Sequence, residues 1–231
     1  MIRYIVFALL ISTSFLYSKT IKGIELKPNT TYKNISLKRA NLSGINLQGA
    51  VFFNCDLRGV KFNGSNLSNA IIKRSNLQNV NFSNANLENA RLDFSDLKKA
   101  KFNGTNMRNL SAKGANFTLA RFSKVDARDV NFHKAKFLKA RIEKMDARKA
   151  NFSNSVLLGI EIRDSKFWGA DFSFIAIKDV VFINSGLEEV IYTKESIIKN
   201  LTFENSRWTD KDFCIERGFM HCLNEGISIY N

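Results

Sequence analysis

Ala85-Asn86-Leu87 repeats a pattern that Ala40-Asn41-Leu42 and Ala115-Asn116-Phe117 also carry: a small residue, an Asn or Asp, then a large apolar residue. Counting outward in fives, every position from Leu37 to Leu187 is large and apolar except Ala112, Ala127 and Ala147. Of these 31 positions 23 are Leu or Phe, and the remaining large ones are Ile72, Met107, Ile142, Ile162 and Ile177. A second series lies two residues earlier, from Ile35 and Ala40 through Cys55 to Ser185. It is Ala, Ser, Thr, Cys or Val at 25 of its 31 positions. The phase holds without a slip for 150 residues.

A period of five places successive large residues about 140° apart on an α-helix, which makes no stripe. On one flat strand five is odd, so the large residues would alternate between faces. The small and large residues, two apart, do share a face of a short strand. If the chain bends by roughly 90° after each five, every such pair points to a common axis. Four sides then close a coil of 20 residues, and stacked coils pair their backbones at ~4.8 Å.

Over about two-thirds of the chain this sequence resembles the pentapeptide-repeat family, whose motif is A(D/N)LXX. The resemblance implies an all-β fold, a right-handed quadrilateral parallel β-helix. Thirty-one units give about eight coils, a rod of roughly 35–40 Å. Threading at 20 residues per coil stacks Leu42, Phe62, Phe82, Phe102 and Phe122 on one side. The opposite side carries Leu47, Leu67, Leu87, Met107, Ala127 and Ala147. Two successive alanines facing Phe122 and Ile142 predict a local narrowing or void. Most of the 20 Phe become an internal ladder, not a stacking platform for bases.

Four segments follow. Residues 1–18 have a single Arg3, an apolar run from Tyr4 to Tyr17 and the small Ser18, a secretory signal pattern with cleavage expected after Ser18. Fourteen residues at ~1.5 Å each are too short to cross a ~30 Å hydrocarbon core. Leu16 fits the cleavage rule imperfectly, which leaves an uncleaved anchor open. Residues 19–34, with Pro28, form a strand-like N-terminal cap, and the β-helix spans 35–192. Residues 193–231 form a small α-helical C-terminal cap, since Thr209-Asp210-Lys211-Asp212 reads as a helix start and Gly218 as its stop. On a continuous helix Cys214 and Cys222 would lie ~12 Å apart, too far to bond. A turn at Gly218 could bring them into a disulfide, which an exported chain permits.

The catalytic vocabulary is sparse. No glycine-rich phosphate loop, H-E-x-x-H, C-x-x-C or G-x-S-x-G occurs. Two His and three Cys exclude a multi-site zinc protein or a disulfide-dense scaffold. His133 follows the inward Phe132 and should point to solvent, and Cys55 occupies an inward small position. Asp126 and Asp146, with Arg128 and Arg148 two residues on, read as a surface ion-pair ladder worth ~0–1 kcal/mol per pair. No enzyme, cofactor or metal site is expected.

Charge is the remaining signal. The chain holds 35 basic and 21 acidic residues, net +14. Residues 37–150 hold 22 basic and 8 acidic, whereas 151–231 hold 8 and 12. Threading gathers Lys38, Arg39, Arg58, Lys61, Lys98, Lys99, Lys101, Arg121, Lys139 and Arg141 along one corner without an acidic interruption, though the coil at Gln78, Asn79 and Asn81 is neutral. Like charges ~5 Å apart in water repel by about 0.8 kcal/mol, so the corner is costly unless something anionic docks. These ten residues are the candidate binding site. The expected protein is a non-enzymatic, periplasmic or secreted scaffold whose partner is a protein, an anionic polymer or a membrane surface. Phe53, Phe94, Trp168 and Phe174 are candidate exposed apolar contacts. The family resemblance implies two further readings: a homodimer through the C-terminal cap, and a topoisomerase- or nucleic-acid-interacting role. The DNA-mimicking form of that role needs an acidic surface and a cytoplasmic address, and the basic coil and the signal segment oppose both.

Overall fold

A computed structural model describes residues 19–206. The signal segment 1–18, the helix expected at 209–218 and the Cys214–Cys222 pair lie outside the described residues. Within them the chain is a parallel β-solenoid of about nine turns, with no helix.

It begins with an antiparallel hairpin of β1 (Lys19–Ile21) and β2 (Ile24–Leu26). The Tyr32 hydroxyl anchors this hairpin to the first coil by accepting from the Lys27 N–H at 2.9 Å and donating to the Glu25 carbonyl at 3.0 Å. β3 (Thr31–Lys33), β4 (Val51–Phe53) and β5 (Ile71–Lys73) then stack in parallel on one side. On another side β6 (Lys101–Asn103), β7 (Arg121–Ser123) and β9 (Arg141–Glu143) stack likewise. β8 (Lys136–Leu138) pairs with the long β10 (Val156–Arg163), which continues to β11 (Ala176–Ile183) and β12 (Ile197–Glu204).

The ladder explains the period. The Phe62 N–H donates forward to the Asn81 carbonyl at 2.8 Å, and the Asn81 N–H donates back to Val60 at 3.0 Å. Bonds of this kind recur on every side, so residues 20 apart are neighbours. Each corner places the residue two past the large one at positive φ, as at Asn69, Asn79, Gly59 and Gly64. Asn and Gly tolerate that conformation best. The Asn or Asp of the motif closes the same corner: Asn86 Oδ1 accepts from the Glu88 N–H and Asn116 Oδ1 from Thr118, both at 3.1 Å.

The inward pairs form a continuous core in which Leu42, Phe62, Phe82 and Phe102 are wholly buried. The rings of Phe62, Phe82, Phe102 and Phe122 stack nearly parallel at 4.9–5.5 Å. Five residues make one side, so the Leu47 column lies next to the Leu42 column, not opposite it. Where the alanines predict a narrowing or void, the structure has a cluster of tilted rings. Phe132 meets Phe117 at 87° and Phe137 at 83°, and Phe172 meets Phe152 at 89°. Ala112, Ala127 and Ala147 supply small neighbours that let these rings turn edge-on, a geometry worth about 0.5–1.5 kcal/mol per pair.

Eight coils are corrected to about nine, because the solenoid runs on past Tyr192. The register lengthens there from 20 to 21: Ile177 pairs with Ile198 and Phe182 with Phe203. One extra residue at the corner before β12 shifts the five-residue phase, and Thr193 Oγ1 there accepts from the Phe174 N–H at 3.0 Å. Phe203 still stacks on Phe182 at 5.7 Å and 16°.

Phe102→Ala should cost about 3–5 kcal/mol, read as a lower urea midpoint. Phe94→Ala, at an exposed corner, should stay within about 0.5 kcal/mol of the parent. Equal losses from the two would contradict the inward ladder.

Candidate functional site: a cationic groove

Lys101, Arg121 and Arg141 stand in register on β6, β7 and β9. Their inward neighbours Phe102, Phe122 and Ile142 are buried, so strand alternation turns the three cations outward. Lys99, Leu119 and Lys139 occupy the adjoining corner at positive φ. Together with Asn79 these six residues line a groove of about 420 Å³. Among the described residues none of its five cations forms an ion pair, whereas Arg58, Arg91, Arg128, Arg148 and Arg163 each hold a carboxylate.

The ten candidate residues are all exposed, but they fall into two groups. Five line the groove and Lys98 lies on the flat side beside it. Lys38, Arg39, Arg58 and Lys61 sit on the first coils, beyond the neutral rung of Gln78, Asn79 and Asn81. This second group is not acid-free. Asp56 takes two bonds from Arg58, at 2.8 and 2.6 Å, and these hold its carboxyl below the usual range, with Lys38 assisting. Near the groove the carboxylates are at the margins. Asp96 is engaged by Gln78 at 2.7 Å and by the Lys98 N–H at 3.2 Å, and Glu161, one rung past Arg141, pairs with Arg163.

Other polar clusters are structural. Arg128 grips Asp126 through Nε at 2.8 Å and reaches Asp146 at 3.8 Å, while Arg148 grips Asp146 at 2.8 and 2.7 Å. The expected ladder is therefore present. His133 does not simply face solvent: its Nδ1 lies 2.9 Å from Ser153 Oγ. Ser153 donates its proton to Asn151 Oδ1 at 2.6 Å, so His133 is the donor to Ser153 and cannot draw that proton. Cys55 is buried, which pushes its thiol pKa up and leaves it a core residue. Among the described residues no group of three or more His, Cys, Asp and Glu is placed to hold a metal.

Two features escaped the sequence. Asp93 is 3% exposed, satisfied by Arg91, the Ser111 hydroxyl and the Lys113 N–H. Its corner position matches that of many exposed residues, so only the coil above distinguishes it. Lys149 lies over the Trp168 ring at 5.6 Å, beside a smaller groove of about 240 Å³ that Arg108, Arg128 and Arg148 also line. The 20-residue register would have shown that contact, since Lys149 is one coil below Gly169.

With the coil and its register established, the comparisons agree. A pentapeptide repeat region matches residues 28–102, and eight copies of the pentapeptide repeat match residues 115–154. The chain belongs to the pentapeptide-repeat family. Among solved structures it is similar to HetL, a pentapeptide repeat protein involved in heterocyst differentiation regulation from the cyanobacterium Nostoc sp. strain PCC 7120. That match has 19% identity and a TM-score of 0.52, covering 79% of this chain and 91% of HetL. It is also similar to a trypsin-treated form of QnrB1, a plasmid-mediated fluoroquinolone resistance protein. There the identity is 19% and the TM-score 0.58, covering 87% of this chain and 100% of the other. No curated protein sequence matches the chain. At such identities these likenesses concern the fold.

The Arg128 bonds hold the Asp126 carboxyl below its ordinary value. A depressed folded pKa stabilises the fold above the ordinary carboxylate range, near ~4, and that contribution is lost as pH falls through the depressed value. Urea midpoints from neutral to strongly acidic pH should decline below ~4, and Asp126→Asn should shallow the decline. An identical profile in the variant would remove Asp126 from the account.

Proposed function

We propose that this pentapeptide-repeat protein is a non-enzymatic, exported scaffold that binds an anionic partner through the groove of Lys99, Lys101, Arg121, Lys139 and Arg141. The observation that carries this reading is the contrast in pairing. Five arginines elsewhere are matched to carboxylates, while the groove stacks five cations on successive coils without one. At ~5 Å spacing each neighbouring pair costs about 0.8 kcal/mol before screening, and the interior gains nothing from them in return. An anion in the groove would offset the repulsion and add charge-assisted hydrogen bonds. Export rests on the signal pattern of residues 1–18. The likeness to QnrB1 supports the coil, and the basic surface here gives no support for transferring that protein's role.

The chain with Lys99→Asn, Lys101→Ser, Arg121→Ser and Arg141→Ser should elute from a heparin-like resin at clearly lower salt than the parent. Its urea midpoint should be unchanged or slightly higher, because the substituted side chains are exposed and mutually repulsive. Retention equal to the parent would reject the groove as the site. Fractionation followed by N-terminal sequencing should find Lys19 as the first residue of protein outside the cytoplasm. A full-length cytoplasmic product would reject export.

A further inference from the structure

The groove adjoins a side of the rod whose outward positions change character along its length. On this side Asp56, Asn76, Asp96 and Asn116 occupy one outward column, and in later coils Val156, Ala176 and Ile197 continue it. In the next outward column Leu138 and Leu158 are in register. These side chains do not build the core, because the inward Phe137 and Leu157 between them are already buried. Strand alternation sends Leu138, Val156 and Leu158 to the other face, where they remain half-buried only by one another and their neighbours.

Leu119 joins this apolar surface to the cations. It sits on the corner between Lys99 and Lys139, is 42% exposed and has φ 60°. Two earlier coils fill the same corner with Gly59 and Asn79, residues that adopt that backbone at low cost. A γ-branched apolar residue there is strained and returns little burial. Arg39, Lys99 and Lys139 share that φ in the same corner, so what sets Leu119 apart is an exposed apolar side chain among cations.

A purely hydrophilic polyanion would satisfy the cations and leave Leu119, Leu138, Val156 and Leu158 wet. A surface that pairs phosphate with hydrocarbon at the same depth satisfies both. We infer that this side of the rod lies flat on an anionic phospholipid bilayer, with lipid phosphates on the groove cations and the four apolar side chains in the headgroup–acyl boundary. Lys136, in register with Val156, and Lys178, in register with Leu158, extend the cationic rim on the same sheet. Asp96, Glu161 and Asp179 mark where the complementary surface ends. This rests on the anion-binding reading above and names its partner. The arrangement, apolar centre and basic edge, is that of interfacial attachment, in which buried apolar area and attraction to anionic lipid add.

The test is flotation of the full chain with vesicles of phosphatidylcholine alone or mixed with phosphatidylglycerol. The parent should float with the mixed vesicles and not with the neutral ones. A variant carrying Leu119→Asn, Leu138→Ser and Leu158→Ser has the same net charge. It should lose roughly tenfold or more in vesicle affinity while keeping its retention on heparin-like resin. Its urea midpoint should fall only modestly, since Leu138 and Leu158 are half-buried, and the retained heparin binding shows a folded variant, so a loss of vesicle binding cannot be blamed on unfolding. Vesicle binding equal to the parent would overturn the lipid assignment. So would a parent dimer in sedimentation that the same variant dissolves, since a second copy would then cover the patch. A parent that binds heparin but no vesicle rejects the bilayer alone, whereas heparin retention unchanged in the fourfold charge variant rejects the underlying anion site as well.

Discussion

The hydrogen-bond ladder between successive coils governs nearly everything else in this molecule. Each side donates forward to the next coil and back to the previous one, as Phe62 does to Asn81 and Asn81 to Val60. An N–H left unpaired inside such a stack would cost about 1–3 kcal/mol, so the chain must return to the same place after a fixed number of residues. That return length is 20 over most of the rod and 21 at its last described turn. Chemically alike residues then stack. Phe lies on Phe, Asn46 Oδ1 accepts from Asn66 Nδ2 at 3.2 Å, and Lys101 meets Arg121 and Arg141. The same register that builds a favourable core column therefore builds an unfavourable charge column whenever the outward residues share a sign.

Interior and corner impose different chemistry. The axis accepts one small and one large residue per side, and Ser65 and Thr105 show how a polar small residue is admitted. Their hydroxyls donate to the Leu42 and Phe82 carbonyls of the preceding coil at 2.6 and 2.9 Å. The corner instead demands a positive φ, for which Asn and Gly are the inexpensive choices. Lys, Arg, Asp and Phe nonetheless occupy many corners, so a departure there is judged by what its side chain touches. Phe94 lies against Gly114 of the next coil, where an added Cβ would come within 2.8 Å of its ring. That aromatic lies over the next coil's glycine, whereas Leu119 lies among the groove cations.

These rules also explain what could be read without coordinates. The coil, its 20-residue register and the inward columns were legible because a period of five is incompatible with either continuous helix or flat strand, and the phase never slips between Leu37 and Leu187. The last turn was hidden by a single extra residue, which moves Ile198, Leu201 and Phe203 off the five-residue count while leaving them on the same inward columns. The bringing together of Lys99, Lys101, Arg121, Lys139 and Arg141 followed from register alone. The neutral rung of Gln78, Asn79 and Asn81 that sets them apart from Arg58 followed too, but the pairing of Asp56 with Arg58 did not, because it depends on which carboxylates reach which cations. Asp93 was invisible for a similar reason: burial at a corner is decided by the side chains one coil above.

The outer surface is where selection by the fold is weakest, so its regularities call for another cause. A coil needs Phe137 and Leu157 inside but is indifferent to Leu138 and Leu158 outside, provided the alternation holds. It needs a left-handed residue at position 119 but gains nothing from that residue being leucine. It tolerates Lys101, Arg121 and Arg141 in one column only by accepting their repulsion. Each choice alone is a minor cost on a protein with a long, fully paired ladder. Their coincidence on adjoining strips of the same few coils is what the interior cannot explain. A phosphate-bearing apolar boundary would turn all three from costs into contacts.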